Sequence, residues 1–468
     1  METHLKVRSP KMMAFILMAG AFIGLFSETA LNMALTNIME DYHITTATAQ
    51  WLTTGYLLVL AIFVPLSATL VRWFTTKQLV ITALLLSILG ALLAALAINF
   101  PMLLIGRLIQ AMGTGIIIPI MNLVVLMIFP ISRRGIVMGL MGLVITTAPA
   151  IGPTISGFIV TTLDWSYIFW LVIVLYALLF LGINKIDNTF TITKPKVDIF
   201  SIVLSSLGFG GVIYSLSNLA ENAITSVIVA VPGIIGILSL VIFCFRQLKM
   251  EQPMINIRVF KNPMFALGTL TVFCSLFIIL ASSILLPIYL KGALFVTAAT
   301  AGLIMFPGNF INVLLAPVVG TLFDKSNGRA KSFVLFGSTF LVIGTVMFSI
   351  ILAENTPIWQ IIVAFILMYI GISFIMMPSN VNAMNQLPRE EYADGSAALN
   401  TLNQVAGAAG TAIAITLFTA GQKLFIENNP AGTPSQILAN GTQFAFMFIT
   451  FIAILIFICA LFIKQPKK

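Results

Sequence analysis

Residues 12–34 read MMAFILMAGAFIGLFSETALNMA, a run in which Glu28 is the only charged residue. A helix crosses the hydrocarbon core of a bilayer with about 20 apolar residues, so this run is long enough to span a membrane. A secretory signal has an apolar region of only about 7 to 15 residues, followed by a cleavage site. We therefore interpret residues 12–34 as a retained first membrane span.

Similar apolar runs recur along the whole chain and are separated by short polar breaks. We predict an all-α polytopic membrane protein with fourteen transmembrane helices, at residues 12–34, 51–71, 79–98, 101–129, 135–160, 166–184, 198–219, 227–245, 264–290, 299–323, 332–353, 357–379, 395–419 and 441–463. The longest breaks, near residues 185–197, 247–263 and 420–440, are too short to hold a soluble domain.

The composition excludes several classes of protein. Hydrophobic residues make up 59% of the 468 residues and charged residues 8%, whereas soluble proteins carry about 25% charged residues. A water-soluble enzyme is therefore excluded. A nucleotide-driven pump would need a GxxxxGK[ST] loop, which the chain lacks. The three cysteines and two histidines have no metal-ligand spacing, so we expect no metal and no other cofactor.

The basic residues are distributed unevenly between the two sides of the predicted membrane. If the N-terminus is cytoplasmic, 21 of the 24 basic residues lie in cytoplasmic segments, Arg107 lies within a span, and only Lys291 and Lys423 lie outside. By the positive-inside rule, both termini are predicted to be cytoplasmic in a multi-pass protein of the cytoplasmic membrane. The net charge of +9 then reflects orientation, and nucleic acid is not an expected partner.

Two stretches of the chain resemble one another at a separation of about 255 residues. ATLVRWFTTK at 68–77 is echoed by GTLFDKSNGR at 320–329, and GTGIIIP at 113–119 by GISFIMMP at 371–378. Parallel repeats are typical of one class of secondary transporters. We predict a six-helix N-terminal half at 1–196, a two-helix linker at 197–250 and a six-helix C-terminal half at 251–468.

Three further motifs resemble those of a known family. ETALNMAL at 28–35, GRLIQAMGTG at 106–115 and APAIGPTISG at 148–157 resemble the major facilitator superfamily, and within it the 14-span drug:proton antiporters of the lincomycin-resistance and quaternary-ammonium efflux type. The resemblance implies a proton-coupled multidrug efflux antiporter, not an enzyme, that exports amphiphilic compounds by alternating access and confers drug resistance. Its expected partners are small-molecule drugs, protons and the lipid bilayer, and it is expected to function as a monomer.

The resemblance also implies a cytoplasmic loop motif in each half. Its residues here are Arg72, Lys77, Asp324, Gly328 and Arg329. The first-half copy departs from the family pattern, because Arg72 and Thr75 stand where the superfamily usually carries Asp and Gly. Residue 36, where many relatives carry Pro, is Thr. The first departure weakens the expected loop-lock role of residues 68–77.

Glu28 is the only acidic residue well inside a predicted span. A carboxylate at that depth costs a few kcal/mol on insertion scales, and binding a proton lessens the cost. Gly20, Gly24, Glu28 and Asn32 recur every four residues and thus share one helix face of small and polar residues. We predict that Glu28 carries the coupling proton and that Asn32 belongs to the same site; the alternative is a structural Glu held by neighbouring helices.

Arg107 is the only basic residue within a predicted span. Counted along their helices at 1.5 Å per residue, Glu28 and Arg107 both lie roughly 10 Å below the same membrane boundary. The family resemblance implies that their helices are neighbours. Arg107 would then influence the ionisation of Glu28 directly or through Gln110 and water; the alternative is an Arg that extends to the interface or binds backbone carbonyls.

Span five contains two rows of small residues and prolines. The rows are Ala148, Gly152 and Ser156, and Pro149, Pro153 and Gly157. Small residues let helices approach closely, and proline bends them. Ordinary tight packing is one interpretation, and the family resemblance favours a gate between the two halves.

Polar residues inside other spans are candidates for a substrate cavity. They are Gln50, Tyr56, Gln110, Asn122, Asn309, Asn312, Asn400, Asn403 and Gln404. Two alternatives to multidrug export stay open from the sequence: an exporter of one physiological metabolite, lipid or peptide on the same fold, and a membrane sensor or channel.

Overall fold

A computed structural model describes residues 7–129, 131–189, 192, 198–219, 222–250, 253, 256–326, 329–388 and 391–464, and this part of the chain is helical and free of β-strands. Its α-helices, in chain order, are α1 (Pro10–Ala30), α2 (Leu35–Tyr42), α3 (Thr46–Ala49), α4 (Trp51–Trp73), α5 (Thr76–Ala95), α6 (Phe100–Ile128), α7 (Ile131–Thr162), α8 (Tyr167–Leu181), α9 (Ile199–Asn218), α10 (Val227–Lys249), α11 (Pro263–Gly292), α12 (Ala298–Lys325), α13 (Ala330–Ile351), α14 (Ile358–Asn385), α15 (Tyr392–Asn428) and α16 (Pro434–Phe462).

Each of the fourteen predicted spans overlaps a different α-helix, which confirms the all-α membrane fold. Within the described residues, eleven helical stretches are long and apolar enough to cross a membrane, and α8 is a shorter apolar helix. The remaining two, α4 and α7, contain residues whose side chains are not described. The exact number of fourteen spans therefore stays a prediction.

Local capping chemistry explains several of the helix boundaries. At the start of α5, the Thr75 hydroxyl accepts from the Gln78 amide at 3.2 Å, and the Gln78 side chain accepts from the Thr75 amide at 3.0 Å. Asn262 accepts from the Met264 amide at 3.0 Å at the start of α11, where Pro263 occupies the first position. These contacts satisfy amides that lack a partner inside the helix.

Two elements differ from the predicted boundaries. The first span is not one regular helix, because α1 ends at Ala30 and the 3-10 turn Leu31–Met33 connects it to α2. The predicted polar break at 420–440 is largely helical, since α15 continues to Asn428 and α16 begins at Pro434. Polarity alone suggested a loop there, but the break contains no proline before Pro430, and a proline disfavours helix in the residue before it.

The repeated motifs occupy equivalent places in the two halves. A Cβ atom built at Gly371 of α14 would lie 2.6 Å from the Gly337 carbonyl oxygen of α13, and one built at Gly113 of α6 would lie 3.0 Å from the Ser87 amide of α5. In both halves, therefore, the motif glycine allows two consecutive antiparallel helices to touch through their backbones. This agrees with two homologous halves.

The two halves meet mainly along two pairs of helices, α7 with α12 and α4 with α15. The Thr54 hydroxyl of α4 hydrogen bonds the Thr411 hydroxyl of α15 at 2.8 Å, and the Ala299 amide of α12 donates to the Thr161 hydroxyl of α7 at 2.9 Å. At one end of the bundle, α1 and α11 terminate and α4 begins; we call this the distal end. The two cross-half hydrogen bonds lie toward the distal end.

Helices α9 and α10 form an antiparallel pair beside the halves. Gly211 and Gly236 lie at their close contact, and α9 packs on both α4 and α15. Asp198 receives hydrogen bonds from Arg246 at 3.0 and 3.1 Å and from Ser201. Although burial by itself raises the pKa of Asp198, these hydrogen bonds hold the pKa below its ordinary value. The pair occupies the predicted linker region, and the domain boundaries stay a prediction.

Candidate functional site

Glu28 lies in the last turn of α1 and is 4% exposed. Helix α1 approaches α6 closely at Gly24, where a Cβ atom would come within 2.6 Å of the Thr114 hydroxyl. The Tyr56 hydroxyl of α4 also donates to the Gly24 carbonyl oxygen at 3.1 Å. The glycine face identified in the sequence thus places Glu28 among protein helices and away from lipid.

Arg107 of α6 is fully buried beside Glu28. One of its terminal nitrogens, Nη1, donates to the Ser27 hydroxyl at 3.0 Å and to the Gln110 side-chain oxygen at 2.7 Å. Its guanidinium carbon lies 4.3 Å from the centre of the Tyr56 ring, a cation–π arrangement. The structure therefore joins Arg107 to Gln110, the side chain proposed for communication with Glu28, and to Ser27, which directly precedes Glu28 and which the sequence did not single out.

The guanidinium retains donors that no described residue accepts. Its Nε and Nη2 atoms are buried without a hydrogen-bond partner, and so is Nε2 of Gln110. Glu28 lies near enough for electrostatic attraction, and no ion pair within 4.0 Å joins the two among the described residues. A buried donor without a partner costs about 1–3 kcal/mol, so these donors favour an oxygen acceptor brought next to them.

Asn32, four residues after Glu28, connects the two halves. Its side-chain oxygen accepts from the Thr53 hydroxyl of α4 at 3.0 Å, and its side-chain nitrogen donates to the Ser283 hydroxyl of α11 at 3.1 Å. The sequence did not identify Thr53 and Ser283, because hydroxyl residues are common in spans and nothing in their spacing points to Asn32.

The two rows of span five face different neighbours. At Gly152 of α7, a Cβ atom would lie 3.2 Å from the Ala30 amide of α1, in the same half. At Gly157 it would lie 2.5 Å from the Ala298 carbonyl oxygen at the start of α12, in the other half. The gate between the halves that the family resemblance favours for both rows therefore fits Gly157 but not Gly152, because residues five apart on a helix project about 140° apart.

The predicted cavity residues divide into separate groups. Tyr56 and Gln110 belong to the Arg107 network. Gln50 is fully buried, and both polar atoms of its side chain lack a partner among the described residues. Asn312 accepts from the Ser373 hydroxyl at 2.7 Å, a contact inside the C-terminal half. Asn309 is also buried. Three other asparagines are half-buried, namely Asn122, Asn400 and Asn403.

The loop-motif residues are only partly described. The Lys77 amide donates to the Asn188 side chain at 3.2 Å, which fixes the start of α5 to the segment after α8. The Arg329 amide donates to the Ser326 hydroxyl at 3.3 Å. Gly328 and the side chains of Arg72, Asp324 and Gln404 lie outside the described part of the structure.

Comparison with known proteins adds to this geometry. Residues 17–411 match the family model described as Major Facilitator Superfamily. The chain is 48% identical to the lincomycin resistance protein LmrB of Listeria innocua over 468 residues, 99% of this chain and 98% of that protein. It is 47% identical to the Bacillus subtilis protein of the same name over 464 residues, 97% of this chain and 96% of that protein.

A solved structure shares the fold. The crystal structure of the peptide transporter POT in complex with sulfate superposes with a TM-score of 0.70 at 16% sequence identity, over 96% of this chain and 94% of that chain.

Proposed function

The chain belongs to the major facilitator superfamily, and from this premise we propose that it is a proton-coupled drug efflux antiporter of the cytoplasmic membrane. Relatives at 47–48% identity over nearly the full length are lincomycin resistance proteins. Lincomycin is therefore the first substrate to test, together with other amphiphilic compounds.

The observation that carries proton coupling is the buried Glu28 beside Arg107. No other acidic residue lies well inside a span, and a carboxylate in such surroundings exchanges its charge for a bound proton more readily than one in water. The unpartnered nitrogens Nε and Nη2 of Arg107 are suited to donate hydrogen bonds to the carboxylate oxygens when Glu28 is ionised. Protonation of Glu28 would break these hydrogen bonds.

We propose a cycle of alternating access between the two halves. Substrate enters from the cytoplasm or the inner leaflet and competes with the proton on Glu28. The halves then rock so that the distal end, placed outside by the positive-inside rule, opens and releases substrate. A proton from outside reloads Glu28. The cross-half contacts of Thr54 with Thr411 and of Thr161 with Ala299 must break in that step.

The energy of one proton is sufficient for useful export. A proton that enters down 100 mV contributes about 2.3 kcal/mol, which supports roughly a 50-fold gradient of a neutral substrate at 1.4 kcal/mol per decade. A monovalent cation exchanged for one proton moves no net charge. Its export would then depend on the pH gradient alone.

Transport into inverted vesicles tests the proposal. Vesicles that contain the protein should accumulate lincomycin when energised, and structurally different amphiphiles should compete. Collapsing the pH gradient and the potential separately identifies the driving force for each compound. Competition by only one narrow class of compounds would favour an exporter of a single metabolite, and the absence of energised accumulation would contradict transport.

A further inference from the structure

Lys291 joins the end of α11 to the segment that follows Glu28. Its ammonium group donates to the Met33 carbonyl oxygen at 3.1 Å and to the Asn37 side-chain oxygen at 2.5 Å. Lys291 belongs to the C-terminal half, and both acceptors belong to the N-terminal half. It is half-buried, and Glu40 of α2 attracts it electrostatically.

The backbone at this contact departs from regular α-helix. Met33 is the last residue of the 3-10 turn Leu31–Met33, which begins three residues after Glu28. Helix α11 contacts the turn at two places, because Lys291 donates to Met33 and Asn32 donates to Ser283. A 3-10 segment between two helices often marks a hinge. A movement of α11 away from the N-terminal half would therefore release the turn that determines how α1 ends.

We propose that Lys291 is a positioning residue that holds the distal end closed. Until substrate is bound, the closed end prevents external protons from reaching Glu28. The proposal rests on the alternating access proposed above. Withdrawing the ammonium leaves the Met33 carbonyl and Asn37 without their charged donor, and charge-assisted hydrogen bonds are roughly twice as strong as neutral ones. The lysine thus biases the protein toward the closed distal end.

Spin-label distances test this bias without any transport. Labels at Ile98→Cys and Trp359→Cys, both exposed residues at the distal end of opposite halves, report opening in a background with Cys244, Cys274 and Cys459 replaced. Without substrate, Lys291→Met should raise the fraction of the long-distance population at least threefold. Lys291→Arg should stay within a factor of two of the unchanged protein, because a guanidinium also donates.

Two further variants separate the proposal from a general effect of charge or folding. Asn37→Ala removes one acceptor and should shift the distances in the same direction by a smaller factor. Lys423→Met removes the same charge from another exposed distal residue of α15 and should leave the distances unchanged. An unchanged distribution in both Lys291→Met and Asn37→Ala, or an equal shift in Lys423→Met, would overturn the proposal.

Proton entry gives a second readout. Liposomes that contain Lys291→Met should take up protons several-fold faster without substrate, and adding Glu28→Gln should remove the excess. Since the distance measurement needs neither substrate nor a proton gradient, its failure is distinguishable from failure of drug export. Faster uptake that persists with Glu28→Gln would contradict a path through Glu28.

Discussion

The surroundings of Glu28 show how one carboxyl group is kept inside a membrane protein. Contacts with Tyr56, Ser27 and Gln110 hold Arg107 in place. The position of its charge therefore does not depend on an ion pair with Glu28. A preorganised charge of this kind is worth more where water is excluded than at a surface. In the proposed cycle, Glu28 would alternate between an ionised state that pairs with Arg107 and a protonated state that does not.

Glu28→Gln should abolish proton-driven export and leave membrane insertion and much of substrate binding intact. Glutamine keeps the size and hydrogen-bonding capacity of the side chain but does not titrate at physiological pH. Uphill lincomycin accumulation in inverted vesicles should fall to the level of vesicles without the protein, while binding to the purified variant should stay within about threefold. Full uphill export by this variant would refute the role of Glu28 as proton carrier.

Arg107→Ala should move the pH midpoint of substrate-induced proton release upward by about 1 unit or more, because losing a nearby positive charge disfavours the ionised carboxylate. Arg107→Lys should restore only part of the coupling, since an ammonium has a single nitrogen and cannot hold Ser27 and Gln110, as Nη1 does, while Nε and Nη2 stay available for the carboxylate. Proton release from the purified protein, followed with a pH indicator, measures both. An unchanged midpoint in Arg107→Ala would mean that the two residues do not communicate.

Among the helices, α7 packs against two neighbours with different faces: its Gly152 face contacts α1 and its Gly157 face contacts α12. The sequence indicated which residues of α7 are small, but not which helix each one meets, because neighbours depend on tertiary packing and not on spacing along one chain. The 3-10 turn after α1 was equally invisible in the sequence. Neither glycine nor proline occurs between Ala30 and Leu35, and the bonds that hold the turn come from α4 and α11.

Gly157→Leu should lose transport by disturbing the contact with α12, and Gly152→Leu by disturbing α1 next to Glu28. Inserting a larger side chain into a close contact costs typically about 1–3 kcal/mol. Gly210→Leu in α9 is the matched control, because nothing lies within 4 Å of the Cβ position there, and it should transport normally. Expression, thermal unfolding and lincomycin transport are compared for the three variants. Normal transport by Gly157→Leu would mean that this face of α7 is not a moving interface.

Asp198→Asn should loosen the α9–α10 pair in a pH-dependent way. Because the pKa of Asp198 is lowered in the folded protein, its contribution to stability is present above the ordinary pKa and is lost as the pH falls through the lowered value. Because Arg246 is exposed to solvent, water screens the pair and we expect only a small effect on stability. The melting temperature of the variant should be lower at pH 7, and the difference should shrink at pH 3. A difference independent of pH would contradict the ion-pair origin.

At the scale of the whole molecule, the repeat in the sequence predicted the architecture well. Gly113 and Gly371, matched only by weak sequence echoes, both lie where two consecutive antiparallel helices touch. Composition and run length sufficed for the helices because the bilayer requires long apolar segments. The contacts between halves could not be predicted, since they join hydroxyl residues such as Thr54 and Thr411, which lie 357 positions apart.

A disulfide between the two halves should stop transport, whereas a disulfide within one half, built at a pair of residues with the same separation, should not. The Thr54 and Thr411 hydroxyls lie 2.8 Å apart across the interface, and those of Thr76 and Thr189 lie 2.8 Å apart within the N-terminal half. Both pairs are replaced by cysteine in a background without Cys244, Cys274 and Cys459, and are then oxidised.

Alternating access requires α4 and α15 to separate at the distal end, so the oxidised Thr54→Cys, Thr411→Cys variant should lose at least about nine-tenths of lincomycin transport and recover it with a reductant. The oxidised Thr76→Cys, Thr189→Cys variant should keep its activity, because the proposed cycle moves the N-terminal half as one body. Mass spectrometry confirms that each disulfide has formed. Continued export by the first variant with its disulfide intact would mean that substrate leaves without parting these helices, and the rocking of the two halves would then have to be abandoned as the mechanism.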